Sequence, residues 1–158
     1  MWKPVKVKYI DMIEAVQRRC TRQLPGFSDL TYPERLKKLN LPTLSYRRIR
    51  GDMIETYKLL NEECYDPRVS GILTEVVDGN TRGHSKKLFM KRAETGIRKN
   101  VFSIRVVKLW NSLPENIVSA PNVNTFKNRF DKYMEDQEVM FNDYKADIMI
   151  TSTYNTED

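Results

Sequence analysis

The sequence is poor in the residues that build metal centres and nucleophile sites. Its two cysteines, Cys20 and Cys64, stand 44 positions apart. Neither has a second cysteine or a histidine at ligand spacing, so no zinc cluster or disulfide framework is expected, and both read as reduced structural thiols. The single histidine, His84, has no Ser-Asp or Cys-Asp partnership, and a Gly-rich phosphate loop, an HExxH string and a nucleophile elbow are all missing. The carboxylates fall mostly in connectors and helix-surface pairs, at no spacing that suits a pair of catalytic metals. No catalytic residue, metal ligand or cofactor is therefore expected. No apolar run approaches the roughly 20 residues a membrane span needs, and Met1-Trp2-Lys3-Pro4-Val5-Lys6-Val7-Lys8 is too polar for a signal peptide. The expectation is an intracellular protein, nuclear or cytoplasmic, with no membrane partner.

What the sequence does contain is charge, unevenly placed. The 158 residues are 40% hydrophobic and 30% charged, enough apolar material for one modest core or a compact piece with a tail. The net charge of +6 conceals blocks of opposite sign. Residues 1–60 hold 13 Lys and Arg against 6 Asp and Glu, residues 61–80 hold 1 against 5, and residues 81–110 hold 9 against 1. Residues 111–135 balance, and residues 136–158 hold 1 against 6. Clustered basic charge concentrates positive potential where scattered charge would cancel, which suits a polyanion partner. A merely solvated basic face is the competing reading.

Periodicity predicts a mostly helical chain. Ile10, Ile13, Val16, Cys20 and Leu24 recur at steps of three and four, the spacing of one buried helix face over 7–24. Pro25-Gly26 breaks it. Thr31-Tyr32-Pro33-Glu34 reads as a capping box opening a helix over 32–39. Asn40-Leu41-Pro42 stops that helix, and Thr43 can cap a third over 44–60 with Tyr46, Ile49, Met53, Tyr57 and Leu60 inward. Residues 61–80, acidic and broken by Pro and Gly, read as a connector. Glu94-Thr95-Gly96 suits the turn of a short β-hairpin near 86–102, with a basic helical reading as the alternative. Ser103 can cap a helix over 104–112 carrying Trp110, and Asn122 a last one over 123–136 carrying Phe126 and Phe130. The acidic end, residues 136–158, reads as a disordered tail.

Lys and Arg neutralise phosphates and release counterions, and aromatic rings stack on unpaired bases. The candidate nucleic-acid contacts in the second basic block are Arg82, Lys86, Lys87, Lys91, Arg92, Arg98, Lys99 and Arg105, interleaved with Phe89, Phe102 and Trp110. Trp110, between Leu109 and Leu113, suits a core better than a stacking platform. Arg18, Arg19, Arg22, Arg47 and Arg48 form a second candidate surface on the first and third helices.

The strings themselves carry a resemblance. Ile13-Glu14-Ala15-Val16-Gln17-Arg18-Arg19-Cys20-Thr21-Arg22, Leu30-Thr31-Tyr32-Pro33-Glu34-Arg35-Leu36 and Tyr46-Arg47-Arg48-Ile49-Arg50-Gly51-Asp52-Met53 resemble the region after the palm in reverse transcriptases of non-LTR (LINE-like, jockey-like) retrotransposons. Thr81-Arg82-Gly83-His84-Ser85, Arg98-Lys99-Asn100-Val101-Phe102-Ser103 and Leu109-Trp110-Asn111-Ser112-Leu113-Pro114 are similar to the segment that closes those polyproteins. The resemblance spans roughly residues 2–135. It implies a fragment of an RNA-directed DNA polymerase: a thumb-like bundle of three helices in 1–60, the connector 61–80, a basic C-terminal helical pair in 81–135, and an element-specific tail. It also implies a template-primer partner, RNA or DNA, and a palm in full-length relatives. The aromatic-Ala-Asp-Asp string that binds catalytic metals in that palm does not occur in this sequence, so the expected activity is binding and not catalysis. Two other readings stand beside it, a helical protein-interaction module and a degenerate open reading frame without a selected role. Exposed apolar surface around Ile10, Ile13 and Leu24 would invite self-association.

Overall fold

A computed structural model describes residues 4, 6–61, 71–76, 83–135 and 137–145 of the chain. The described residues form eight helices, α1 (Val7–Arg22), α2 (Tyr32–Leu39), α3 (Leu44–Leu60), α4 (Gly96–Lys99), α5 (Phe102–Ser112), α6 (Glu115–Val118), α7 (Val123–Tyr133) and α8 (Glu138–Phe141). The chain is mainly α, as its periodicity predicts. It divides into two compact units, Met1–Gly51 with Asp131–Ile148 and Asp52–Phe130 with Met149–Asp158. The division falls within α3 and α7, not at the composition breaks near residues 60 and 80.

Side-chain caps fix the starts of α2, α3 and α7. At α2 the Glu34 carboxylate accepts from the Thr31 backbone N–H at 2.7 Å and from its hydroxyl at 2.6 Å, completing a capping box with Pro33 in the first turn. At α3 the Thr43 hydroxyl accepts from the Tyr46 N–H at 3.1 Å, and at α7 the Asn122 side chain accepts from the Thr125 N–H at 2.8 Å. Ser103 is not a cap: α5 starts at Phe102, two residues earlier than expected, with Val101 in extended conformation before it.

In the first unit Leu36, Tyr46, Met134 and Val139 are buried. The interior face of α1 is polar, which corrects the apolar stripe expected there. Glu14 and Thr21 are buried while Val16, Cys20 and Leu24 are exposed, and Ile10 and Ile13 are half-buried. The reason is the partners waiting inside. Glu14 accepts from the Tyr32 hydroxyl at 2.6 Å and, with both carboxylate oxygens, from the Leu44 N–H at 3.2 Å. A carboxylate from one helix thus occupies the positive end of another. Residues 137–145, expected within a disordered tail, are folded into this unit: Thr43 donates its N–H to the Met140 carbonyl and its hydroxyl to the Val139 carbonyl. Residues 146–158 lie outside the described residues.

The second unit is built around aromatic rings. Phe126 stacks on Tyr57 at 4.5 Å between centroids, on Phe130 at 5.9 Å and on Trp110 at 6.0 Å. Trp110 is fully buried, and its indole N–H donates to the Lys86 carbonyl at 2.8 Å. Leu88 forms an isolated antiparallel bridge with Glu75, and Asn111 serves its other edge, accepting from the Leu88 N–H and donating to its carbonyl. The hairpin expected near 86–102 is not formed. Leu88 pairs with the connector instead, and Thr95 accepts from the Arg98 N–H to open the single turn of α4. Of the connector, only residues 71–76 in this pairing region and Asn61 are described.

Candidate nucleic-acid interface

In the first unit α1 and α2 are joined by residues 23–31, and the space between them is a groove of about 680 Å³ lined by Ala15, Arg18, Arg19, Arg22, Gln23, Ser28, Leu30 and Arg35. Four guanidinium groups line it, and no carboxylate does. Two of the four are held in place. Arg35 is buried and donates to the Leu30 carbonyl and the Thr21 hydroxyl. Arg18 donates to the Tyr144 hydroxyl at 2.8 Å and lies over the Tyr32 and Tyr144 rings, each 5.4 Å from its centre. The Tyr144 hydroxyl in turn donates a hydrogen bond to Asp11 at 2.8 Å, and Lys145 pairs with the same carboxylate at 3.0 Å. The Tyr144 hydrogen bond, reinforced by Lys145, holds the Asp11 carboxyl below its ordinary range. Burial and the Glu14 carboxylate push the Tyr32 phenol well above its ordinary pKa, so it remains a neutral donor. Arg19 and Arg22 are exposed and make no ion pair among the described residues.

The groove therefore has a fixed base of positive charge and an exposed rim of it. Guanidinium forks match phosphate oxygens bidentately, and pre-placed ones lose less conformational freedom on binding. Arg18, Arg19 and Arg22 are brought together as their steps along α1 require. Arg35 and Ser28 were not expected. Arg35 sits in the first turn after Pro33 and carries no periodic signal; only the packing of α2 against α1 turns it inward.

The remaining candidates separate into contacts that hold the fold and contacts that face water. Arg47 is exposed. Arg48 is half-buried, and burial lowers its pKa against the opposing pull of Glu14. In the second unit Lys91, Arg92, Arg98 and Lys99 are exposed, beside exposed Phe89, Met90, Ile97 and Val101. Lys86 donates to the Asn61 side chain at 2.6 Å. Lys87 is half-buried, its chain end crossing Gly83, whose φ of +120° and lack of a Cβ leave the room. Arg105 grips Asp52 with two parallel bonds of 2.9 and 2.8 Å and donates a third to the Asn100 carbonyl. That makes Arg105 a clamp between α3 and α5. Arg82 lies outside the described residues. Phe102 is half-buried against the Arg105 guanidinium and Trp110 belongs to the core, so Phe89 alone of the interleaved aromatics faces solvent.

Among the described residues no group of three or more His, Cys, Asp or Glu is placed to hold a metal ion, and no helix is long and apolar enough to cross a membrane. Compared with known proteins, the chain matches no family model, no curated protein and no solved structure.

Proposed function

We propose that this chain is a noncatalytic nucleic-acid-binding module, the thumb-like and C-terminal helical part of a non-LTR retrotransposon RNA-directed DNA polymerase, acting in the nucleus or cytoplasm and gripping template-primer through its phosphates. The observation that carries the reading is the groove between α1 and α2, with four arginines and no carboxylate in its lining. A polyanion gains from every one of those charges and meets no repulsion there. The exposed Lys91, Arg92, Arg98 and Lys99 with Phe89 supply a second phosphate-and-stacking surface in the other unit.

Fluorescence anisotropy with labelled single-stranded RNA, single-stranded DNA and an RNA–DNA hybrid tests it. Contacts made to phosphates weaken with salt at a log-log slope of about −0.7 per phosphate on single strands, so about four contacts give a slope near −3. Base sequence should matter little, because phosphate contacts position a protein without reading bases. Arg19→Glu with Arg22→Glu should remove most of the affinity and flatten the slope while leaving the helical circular dichroism unchanged. Affinity for all three nucleic acids that ignores both this pair and the reversal of Lys91, Arg92, Arg98 and Lys99 would mean that the basic blocks are only solvated faces.

A further inference from the structure

The first helix is folded with its polar side inward. Glu14 is 0% exposed and Thr21 4%, whereas on the opposite side Tyr9 is 48%, Met12 58% and Val16 63% exposed. Cys20 continues that outward row and is exposed too. Tyr9, Met12, Val16 and Cys20 follow one another at steps of three, four and four, which aligns them along a single ridge of the helix. A helix that turns Glu14 and Thr21 inward and this ridge to water keeps an apolar row available for a further contact.

Charge identifies what would cover the ridge. Both carboxylates of α1 are engaged elsewhere: Glu14 inside, and Asp11 with Tyr144 and Lys145. The charged side chains left exposed on the helix are Lys8, Arg19 and Arg22. A second copy of this helix, antiparallel or parallel, would bring basic flank against basic flank. Lipid insertion favours a broad apolar face, while a single row at three-and-four spacing is the narrow seam by which helices pack on helices. We infer that the outward face of α1 is a docking site for an acidic amphipathic helix of a partner protein, its apolar knobs seated along Tyr9, Met12, Val16 and Cys20 and its carboxylates against Lys8 and Arg19. The apolar ridge is distinct from the groove, since Tyr9, Met12 and Val16 take no part in lining it, and Arg19 is the one named residue the two surfaces share.

The test uses the full chain and a synthetic helical peptide of about three heptads with Leu and Ile at the a and d positions and Glu at e and g. The glutamates also keep the peptide from pairing with itself. A companion peptide carries Lys at e and g. Titration calorimetry should show one-to-one binding of the acidic peptide and at least tenfold weaker binding of the lysine peptide. Val16→Glu, and separately Met12→Glu, should weaken the acidic peptide by about tenfold or more with no change in Tm, since both side chains already face water. Lys8→Glu should narrow the preference between the two peptides, and Lys8→Glu with Arg19→Glu should reverse it. Any retention on anionic phosphatidylserine vesicles should be salt-sensitive and unchanged by Val16→Glu and Met12→Glu, and sedimentation should find the chain monomeric. Failure of the acidic peptide to bind, equal binding of both peptides, affinity indifferent to Val16→Glu and Met12→Glu, retention on vesicles through this ridge, or a dimer abolished by Val16→Glu would each overturn the assignment.

Discussion

His84 is 3% exposed, with one ring nitrogen committed and the other not. Its Nε2 lies 2.9 Å from the Trp110 carbonyl, so that nitrogen carries the proton and Nδ1 presents a lone pair with no partner among the described residues. A second proton would create a buried cation with nothing to receive its hydrogen bond. Burial accordingly lowers the pKa, nearby Lys87 lowers it further, and the Trp110 carbonyl and Glu115 only partly oppose this. In the unfolded chain the imidazole titrates near its ordinary value of 6.5. Above that pH both states are neutral and stability is unaffected; as the pH falls below it the unfolded chain takes up a proton that the folded chain resists. Stability should therefore drop on acidification by up to about 1.4 kcal/mol per pH unit until the folded pKa is passed. Urea melts of the wild type and His84→Gln between pH 7.5 and pH 5 measure this, and the glutamine variant, which keeps a donor to Trp110, should lose that part of the dependence. A wild-type profile identical to the variant's would mean that the proton is accommodated.

At the scale of elements, the Arg105–Asp52 pair decides how α5 is held to α3. Both side chains are nearly buried, at 14% and 6% exposure, and the contact is a bidentate fork. Removing one partner of such a pair strands the other charge, whereas removing both leaves no charge to strand. Arg105→Ala should cost about 3–5 kcal/mol in chemical denaturation, and Arg105→Met with Asp52→Leu much less. Equal losses in the single and double variants would show that the pair is held by packing alone. Arg105 also marks the limit of what could be read from the sequence. Helices α1, α2, α3, α5 and α7, and the caps at Thr31, Thr43 and Asn122, were legible because each signal lies within four residues of what it acts on, whereas the four-residue α4, α6 and α8 are too short to show a period. Trp110 was legible as core because its neighbours in the helix are apolar. Misread features depend on partners distant in sequence. Asp52 stands four residues after Arg48 and invites a helix-surface pair, yet its partner is 53 positions away. Glu14 looks like a solvated residue until the Leu44 N–H and the Tyr32 hydroxyl are brought to it. The groove was half legible: the spacing of Arg18, Arg19 and Arg22 is local to α1, but Arg35 joins them only when α2 is packed.

For the molecule as a whole, the two units differ in how much chain must exist before each can close. The unit containing Trp110 draws its described part from one continuous stretch of sequence, whereas the unit containing the arginine groove needs the beginning of the chain and residues beyond Asp131. Thr43 holds both ends of that requirement, since its hydroxyl and N–H are satisfied by the carbonyls of Val139 and Met140, and Val139 lies 96 positions later. During synthesis at roughly 5–20 residues per second, the residue at 43 waits about 5–20 s for its acceptor to be made. Loop closure over that distance is slow relative to local helix formation. Pulsed hydrogen exchange during refolding should protect the Val106–Trp110 amides before those of Thr43 and Tyr46, and simultaneous protection would contradict this order. Until the late segment arrives, the basic helix α1 is a nascent chain without its finished surroundings, exposed on the ribosome to any polyanion nearby, including the message from which it is being translated.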